Sequence, residues 1–466
     1  MNHPVPILLV SCYELGHQPF NLASPLAYLK RAGCDVTAID TSVEPLSDEA
    51  VVRAALVAVS VPMHTALRLG TLVAQRVRSI NPAAHIVFFG LYASLNADYL
   101  LRTCADSVIG GEYEEPLLAL ARAIGEGYAG DIPRVGTRDR TAAPALARTQ
   151  FALPDRAALP PLDRYAHLQH GSSAVLAGYV EATRGCLHTC LHCPITPIYH
   201  GRLIAVPREI VLGDIRQQVQ AGARHITFGD PDFLNGPTHS LRIARAMHAE
   251  FPHVTFDATI KIEHILEHRA IFPELRDLGC VFVVSAVESL SDRVLAHLAK
   301  GHTRSDVASA LDIMNAAGIP LRPSLVAFTP WTTAEDYLDV LEFVAERRMI
   351  EHVDPVQYAI RLLVPPGSAL LNEPDAHEWL GELDEEAFTY RWDHPDPAMD
   401  ELYRRVSDVV EQAQHRGLST TQTFDAVRTL ALRAAGKSEP IKASAVPGHI
   451  AVAERPLPHL TESWFC

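Results

Sequence analysis

The sequence predicts an α/β protein in two main parts: an N-terminal doubly wound parallel sheet of the flavodoxin or Rossmann kind, then a full or partial TIM-type (β/α)6 barrel with a helical C-terminal extension. Three observations predict it. Up to residue 125, short apolar runs alternate with amphipathic segments, and from 173 to 375 the alternation resumes with longer units. Between the two, prolines interrupt every candidate element.

In the first part, 7–10, 56–61 and 86–89 read as strands and 25–31 and 66–80 as helices. Over 126–172, Pro133, Pro144, Pro154, Pro160 and Pro161 mark a linker. Strands are then expected at 174–180, 226–229, 255–260, 281–287, 321–327 and 356–363, each followed by a helical pattern, with catalytic groups where the strands end. From 376 to 466 the chain is expected to be mostly helical, with His394-Pro395-Asp396-Pro397 opening a helix over 399–416.

A chain of 466 residues with 48% hydrophobic composition can bury a large core. Its formal charge of −15 argues against a general grip on nucleic acid phosphates. Met1-Asn2-His3-Pro4 and the short apolar run behind it lack the basic start and the length of a signal peptide, and no stretch reaches the ~20 apolar residues of a spanning helix. A cytoplasmic protein without a membrane partner is therefore expected. Of eight cysteines, three crowd within eight positions, while Cys12, Cys34, Cys104, Cys280 and Cys466 are scattered. That distribution suits a reduced compartment and a metal site rather than a disulfide framework.

The crowded three lie in Arg184-Gly185-Cys186-Leu187-His188-Thr189-Cys190-Leu191-His192-Cys193-Pro194, just after the first barrel strand. Iron-sulfur clusters are held by cysteine thiolates, and a loop that offers only Cys186, Cys190 and Cys193 leaves the fourth iron open. The alternative is a structural zinc site that recruits His188 or His192 as fourth ligand, on a non-catalytic binding protein. The spacing Cys-x3-Cys-x2-Cys resembles the radical S-adenosylmethionine (SAM) superfamily. The resemblance implies a [4Fe-4S] cluster on these cysteines, SAM on its open iron, and reductive cleavage to a 5'-deoxyadenosyl radical that attacks a small molecule or peptide. It also implies an electron donor such as a flavodoxin or ferredoxin.

Further stretches carry the resemblance. His192 stands where the superfamily often has an aromatic residue near the adenine; a solvent-exposed loop histidine is the other reading. Thr227-Phe228-Gly229-Asp230-Pro231-Asp232-Phe233 resembles the Gly-Gly-Glu or Asp-Asp-x-Phe element. By that likeness Gly229 with Asp230 or Asp232 would meet the cofactor's ammonium, against the bland reading of an ordinary turn. Ser285-Ala286-Val287-Glu288-Ser289, with Asp292, Leu295 and Lys300-Gly301, is similar to the "GIES...D..L....KG" stretch, and would turn Glu288 toward the ribose or amino group. Lys261 and Glu263 match an Arg-x-Asp pair in charge type only, and a surface ion pair explains them as well. Phe328 and Trp331 would thicken the wall where the family has Gly-x-Pro-Gly-x-Thr, and inward members of Gln357, Tyr358 and Arg361 would line the substrate end.

The first 125 residues look like the cobalamin-binding domain that precedes many such enzymes: Gly90-Leu91-Tyr92 stands for Gly-Gly-x, and Gly110-Gly111-Glu112-Tyr113-Glu114 resembles a Gly-Glu-Gly-Glu run. Loops 11–21, 60–64 and 90–93 would form the ligand rim beyond the strand ends. The Asp-x-His-x-x-Gly motif that supplies a cobalt ligand is missing, with His17 and His64 as substitutes, so cobalamin stays open alongside a domain that has lost it and only docks. At the other end, Trp464-Phe465-Cys466 resembles radical enzymes ending in Cys-Cys-Ala-Glu-Pro or Cys-selenocysteine-Ala-Glu-Pro. A UGA codon after Cys466, read as a stop, would account for the truncation; a frayed terminus is the other reading.

Overall fold

Leu56–Ser60 is apolar but for its last residue, and every residue of it is buried; this is the signature of a strand covered on both faces. The structure, a computed structural model, describes residues 5–127, 130–146, 150–437 and 457–462. In its first part β1 (Pro6–Ser11), β2 (Asp35–Asp40), β3 (Leu56–Ser60), β4 (His85–Phe89) and β5 (Ser107–Ile109) form one parallel sheet in the order β2-β1-β3-β4-β5. Alternate residues serve opposite layers. Leu8, Val10, Val57, Val59 and Phe88 pack against the helix His64–Ile80, whereas Ile7, Leu9, Leu56, Ala58 and Val87 pack under the helices Phe20–Arg31 and Glu114–Gly125.

Among its described residues, the stretch read as a linker forms only isolated bridges, such as Val108 with Gly136 and Gly111 with Ala145, before the 3-10 turn Leu162–Arg164, and then forms β6 (His167–His170), antiparallel to β7 (Ser173–Val180). After β7 come the small antiparallel pair β8 (Thr183–Gly185) and β9 (Leu203–Ala205), then β10 (His225–Phe228), β11 (Thr255–Thr259), β12 (Cys280–Glu288) and β13 (Leu321–Leu325). The second sheet reads β13-β12-β11-β10-β7-β6-β16, where β16 (His459–Leu460) lies antiparallel on β6. Five of its strands are parallel, so the barrel is partial.

The strand expected at 356–363 is not formed. Pro355 opens a 3-10 helix, Pro355–Ala359, and only a single bridge, Phe328 to Arg361, continues the sheet. Gln357 Oε1 accepts the Leu325 N–H at 2.9 Å, so a side chain takes the place of the neighbouring strand's carbonyl. Helices Pro397–Arg416 and Thr420–Ala434 close that side, with Val406, Phe424 and Val427 joining Tyr358 in the barrel's apolar core. The C-terminal part also contains a hairpin, β14 (Leu380–Asp384) with β15 (Thr389–Trp392), that the helical expectation lacked. Cys466 and the tail motif lie outside the described residues.

Candidate functional site

β8 and β9 pinch the chain into a loop, and the three cysteines occupy its first half. Gly185 ends β8 with φ 75°, and a Cβ there would sit 2.3 Å from the Arg202 carbonyl oxygen, so only glycine makes this turn. Asn235 then fastens the loop: its Oδ1 accepts the Leu187 N–H at 3.3 Å and its Nδ2 donates to Cys186 Sγ at 3.4 Å. Cys186, Cys190 and Cys193 all line one cavity of about 400 Å3 at the C-terminal ends of the barrel strands.

The donor set fits an iron-sulfur cube: three thiols on one loop line the same cavity. Neither histidine joins them: His192 Nε2 faces Glu288 Oε1 at 3.3 Å, and His188 turns toward Asp232 and Glu263. No other cysteine lines the cavity among the described residues, which leaves a fourth iron without a thiolate. Backbone N–H groups of His188 and Ile195 point at Cys186 and Cys193, donors suited to clustered thiolates. Burial pushes the Cys193 thiol up to about 12, so metal binding there would have to displace its proton to solvent.

Glu288 ends β12 with φ 63° beside a register shift against β13. Its carboxylate meets His192 and, at 3.2 Å, Lys300 Nζ. Burial alone would raise this carboxyl, but the Lys300 charge and the His192 hydrogen bond outweigh it and hold it at about 2. Lys300 also lies close enough to Cys190 and Cys193 to feel their charge, so one cation serves both Glu288 and the cysteine loop.

Gly229, Asp230 and Asp232 all reach the cavity, yet their carboxylates have partners of their own. A Cβ on Gly229 would lie 1.9 Å from the Tyr179 ring. Asp230 accepts the Ala182 N–H at 3.0 Å and the Thr183 hydroxyl; burial raises it to about 6. Asp232 Oδ1 caps the 3-10 turn Phe233–Asn235 through Leu234 N–H at 3.0 Å. Lys261 and Glu263 pair with each other, and Lys261 lines the cavity. Gln357, Tyr358 and Arg361 do not reach it: Tyr358 is in the apolar core, and Arg361 binds Asp400 at 2.7 Å and stacks on Trp392. Trp331 stacks on His297 instead, and Phe328 on Tyr337.

The N-terminal sheet contributes the opposite wall. Glu14, His17, Met63, Gly90 and Leu91, from three of the expected rim loops, line the same cavity. At the strand ends the Ser11 and Ser60 hydroxyls are buried without partners, a donor set that fits a polar ligand beyond the sheet edge. His17 stacks on Tyr179 with ring centroids 4.8 Å apart, and burial lowers it to about 4, so its imidazole is neutral. His64 is turned away, its Nε2 2.7 Å from the Ala387 carbonyl oxygen.

Sequence reasoning passed over several residues here. Arg184, Asn235 and the inward pair Thr227 and Asp257 show no local pattern that separates them from ordinary polar residues. Arg184, Thr227 and Lys300 each stand in a recognisable stretch, which gives them a place but no role.

Comparison with known proteins agrees with this geometry. Residues 6–121 match the B12 binding domain and residues 180–344 the Radical SAM superfamily. A tRNA-2-methylthio-N(6)-dimethylallyladenosine synthase of Desulfosudis oleivorans is 27% identical over 215 residues, 44% of this chain and 45% of that protein, so the chain spans under half the length of this relative. An uncharacterised methyltransferase of Pyrococcus horikoshii is 22% identical over 301 residues, 63% of this chain and 64% of that one. Among solved structures, the cobalamin-dependent SAM radical enzyme OxsB superposes with TM-score 0.69 at 14% identity, over 92% of this chain and 72% of that one. The radical SAM methyltransferase TsrM of Kitasatospora setae, with cobalamin and a [4Fe-4S] cluster bound, gives 0.59 at 17% identity, over 74% and 71%. The chain carries a B12 binding domain over residues 6–121 ahead of a radical SAM domain over residues 180–344.

Proposed function

We propose that the protein is a cobalamin-assisted radical SAM methyltransferase acting on a small molecule or peptide. One observation carries this: a single cavity is lined on one side by the three cysteine thiols and on the other by the strand-end loops of the B12 binding domain. Cys186, Cys190 and Cys193 would hold the cluster, Glu288 and His192 would face the nucleoside part of SAM, and the carbonyls around Gly229 would meet its ammonium. When bound, the cluster supplies the electron that opens the sulfonium, and cobalamin supplies a methyl carrier. The protein's own part is enclosure and charge. Lys300 offsets the negative thiolates, the Asp230 bonds to Ala182 and Thr183 fix the ammonium loop, and Tyr179 with His17 walls the cavity between the domains. His17 is the cavity-lining imidazole in reach of a cofactor on the sheet edge, since His64 is engaged elsewhere.

Anaerobic reconstitution tests the proposal. The protein should turn brown, bind about four irons, retain a corrinoid through gel filtration, and consume SAM when reduced. Replacement of the three cysteines by alanine should abolish the iron but leave the corrinoid. Colourless protein, or iron that survives the replacement, would overturn it.

A further inference from the structure

Beside the cysteine loop, three donor atoms converge with no aligned hydrogen bond to the rest of the protein. His188 projects from between Cys186 and Cys190, Asp232 follows β10, and His264 lies on the helix Ile262–Glu267 that follows β11. Asp232 Oδ2 is 2.7 Å from His264 Nδ1 and 3.6 Å from His188 Nε2, and all three atoms lie within 4.8 Å of one another. Each atom is buried and none makes an aligned hydrogen bond, although Asp232 Oδ2 and His264 Nδ1 stand at ion-pair distance; the Asp232 side chain is only 3% exposed. Its other oxygen is committed to Leu234 N–H, which leaves Oδ2 to the two histidines.

We propose that His188, Asp232 and His264 form a second metal site, separate from the cysteine thiols, for a divalent first-row transition ion such as zinc or iron(II). Two imidazoles and one carboxylate suit such ions and not calcium or magnesium, which take all-oxygen shells. Separations of 2.7 and 3.6 Å between neighbouring donors bracket the ~3.4 Å expected of tetrahedral ligands about 2.1 Å from one ion. On its far side, His188 Nδ1 faces Glu263 Oε2 at 3.7 Å, the carboxylate oxygen that Lys261 also pairs with, so the ring stands between the three donors and a second carboxylate. Lys261 Nζ, 3.2 Å from the same Nδ1, is the one nearby cation, and its charge is taken by Glu263. Three protein ligands leave positions open, and His188 and Asp232 both line the shared cavity. The ion would there take an oxygen donor, water or a carboxylate or phosphate of the substrate.

The site does not depend on the proposed methyl transfer. Full-length protein with its cluster reconstituted, so that the thiols are occupied, is titrated anaerobically with cobalt(II) alone and desalted. About one equivalent should remain, with visible ligand-field bands, and zinc should displace it. Asp232→Asn and His264→Ala should each weaken retention at least tenfold with the cluster absorbance unchanged, while His268→Ala should not. The last variant matters because His264, Glu267 and His268 form a more exposed grouping on the same helix. Loss of cobalt on His268→Ala with retention in Asp232→Asn, or no stoichiometric cobalt in the parent protein, would overturn the proposal. If no brown chromophore forms but cobalt still binds through Asp232, the proposed function fails and the metal site stands.

Discussion

The Arg184 guanidinium donates to Glu114 Oε1 at 2.8 Å, across the boundary between the B12 binding domain and the strand that leads into the cysteine loop. The same group donates to Glu112 Oε2 at 2.8 Å and meets Glu181, and it lies over the rings of Phe20, Tyr113 and Phe151. Glu112 and Glu114 are buried and Glu181 is partly so, and the ion cluster is strong only while complete. Arg184→Met should cost about 3–5 kcal/mol, because two carboxylates lose their cation. Thermal unfolding checks the loss. Arg184→Lys should recover little, since an ammonium cannot fork to both carboxylates, and adding Glu112→Gln with Glu114→Gln to the methionine variant should recover part. Equal stability of the lysine form and the parent would sink this account.

Gly229 is required by a neighbour rather than by its own backbone. The Tyr179 ring occupies the place of its missing Cβ, and the same ring stacks on His17. Gly229→Ala should therefore destabilise by about 1–3 kcal/mol, the range for an overpacked interior. Adding Tyr179→Ala should relieve the clash, so that the two changes together cost less than their sum in a denaturant-unfolding cycle. Additive losses would mean that the glycine serves something other than the ring.

These two cases mark what the sequence could show. The alternation of buried strands and amphipathic helices is local, so both sheets and the loop at Cys186, Cys190 and Cys193 were legible. The strand expected at 356–363 failed because its apolar residues suit a buried turn as well as a strand, and Pro355 with the Gln357 side chain decides between them. Asp230 and Asp232 were found as candidates, but that each carboxylate is already engaged depends on Thr183, His188 and His264, residues 32 or more positions away on other elements. Arg184 was quoted in the motif without a role, because its partners lie 70 and 72 residues earlier. Pairing across the domain boundary has no signature in one sequence.

Lys300 should be what keeps Glu288 ionised. With its carboxyl depressed to about 2 from 4.5, Glu288 contributes stability that is present above 4.5 and lost as pH falls toward 2. Lys300→Met removes the main opposing charge, so burial should then raise Glu288 instead of lowering it. The acid limb of the stability curve should move to higher pH, and the variant should lose roughly 3 kcal/mol at neutral pH. Pairing it with Glu288→Gln should recover much of the loss. An unchanged acid limb in Lys300→Met, measured by denaturant unfolding across the range, would disprove the assignment.

Glu14 works in the opposite direction. Its carboxylate receives the N–H groups of Phe20 and Asn21 at 2.8 and 3.1 Å at the start of a helix, but burial, aided by the charges of Glu181 and Asp40, outweighs these bonds and raises it to about 8. Because the folded state holds this proton more tightly, the contribution is fully present below 4.5 and lost as pH rises through about 8. Stability should therefore decline from mildly acidic to mildly alkaline solution. Glu181, raised by burial to about 7 against the pull of Arg184, adds to the same slope. Glu14→Gln keeps one acceptor for the helix start and cannot ionise, so it should flatten most of the decline and be the more stable protein at the alkaline end. Melting temperatures of the two proteins across that window decide it: parallel curves would show that the slope belongs to other groups, whereas agreement below 4.5 and a gap that opens up to about 8 and is constant beyond it would place the proton on Glu14.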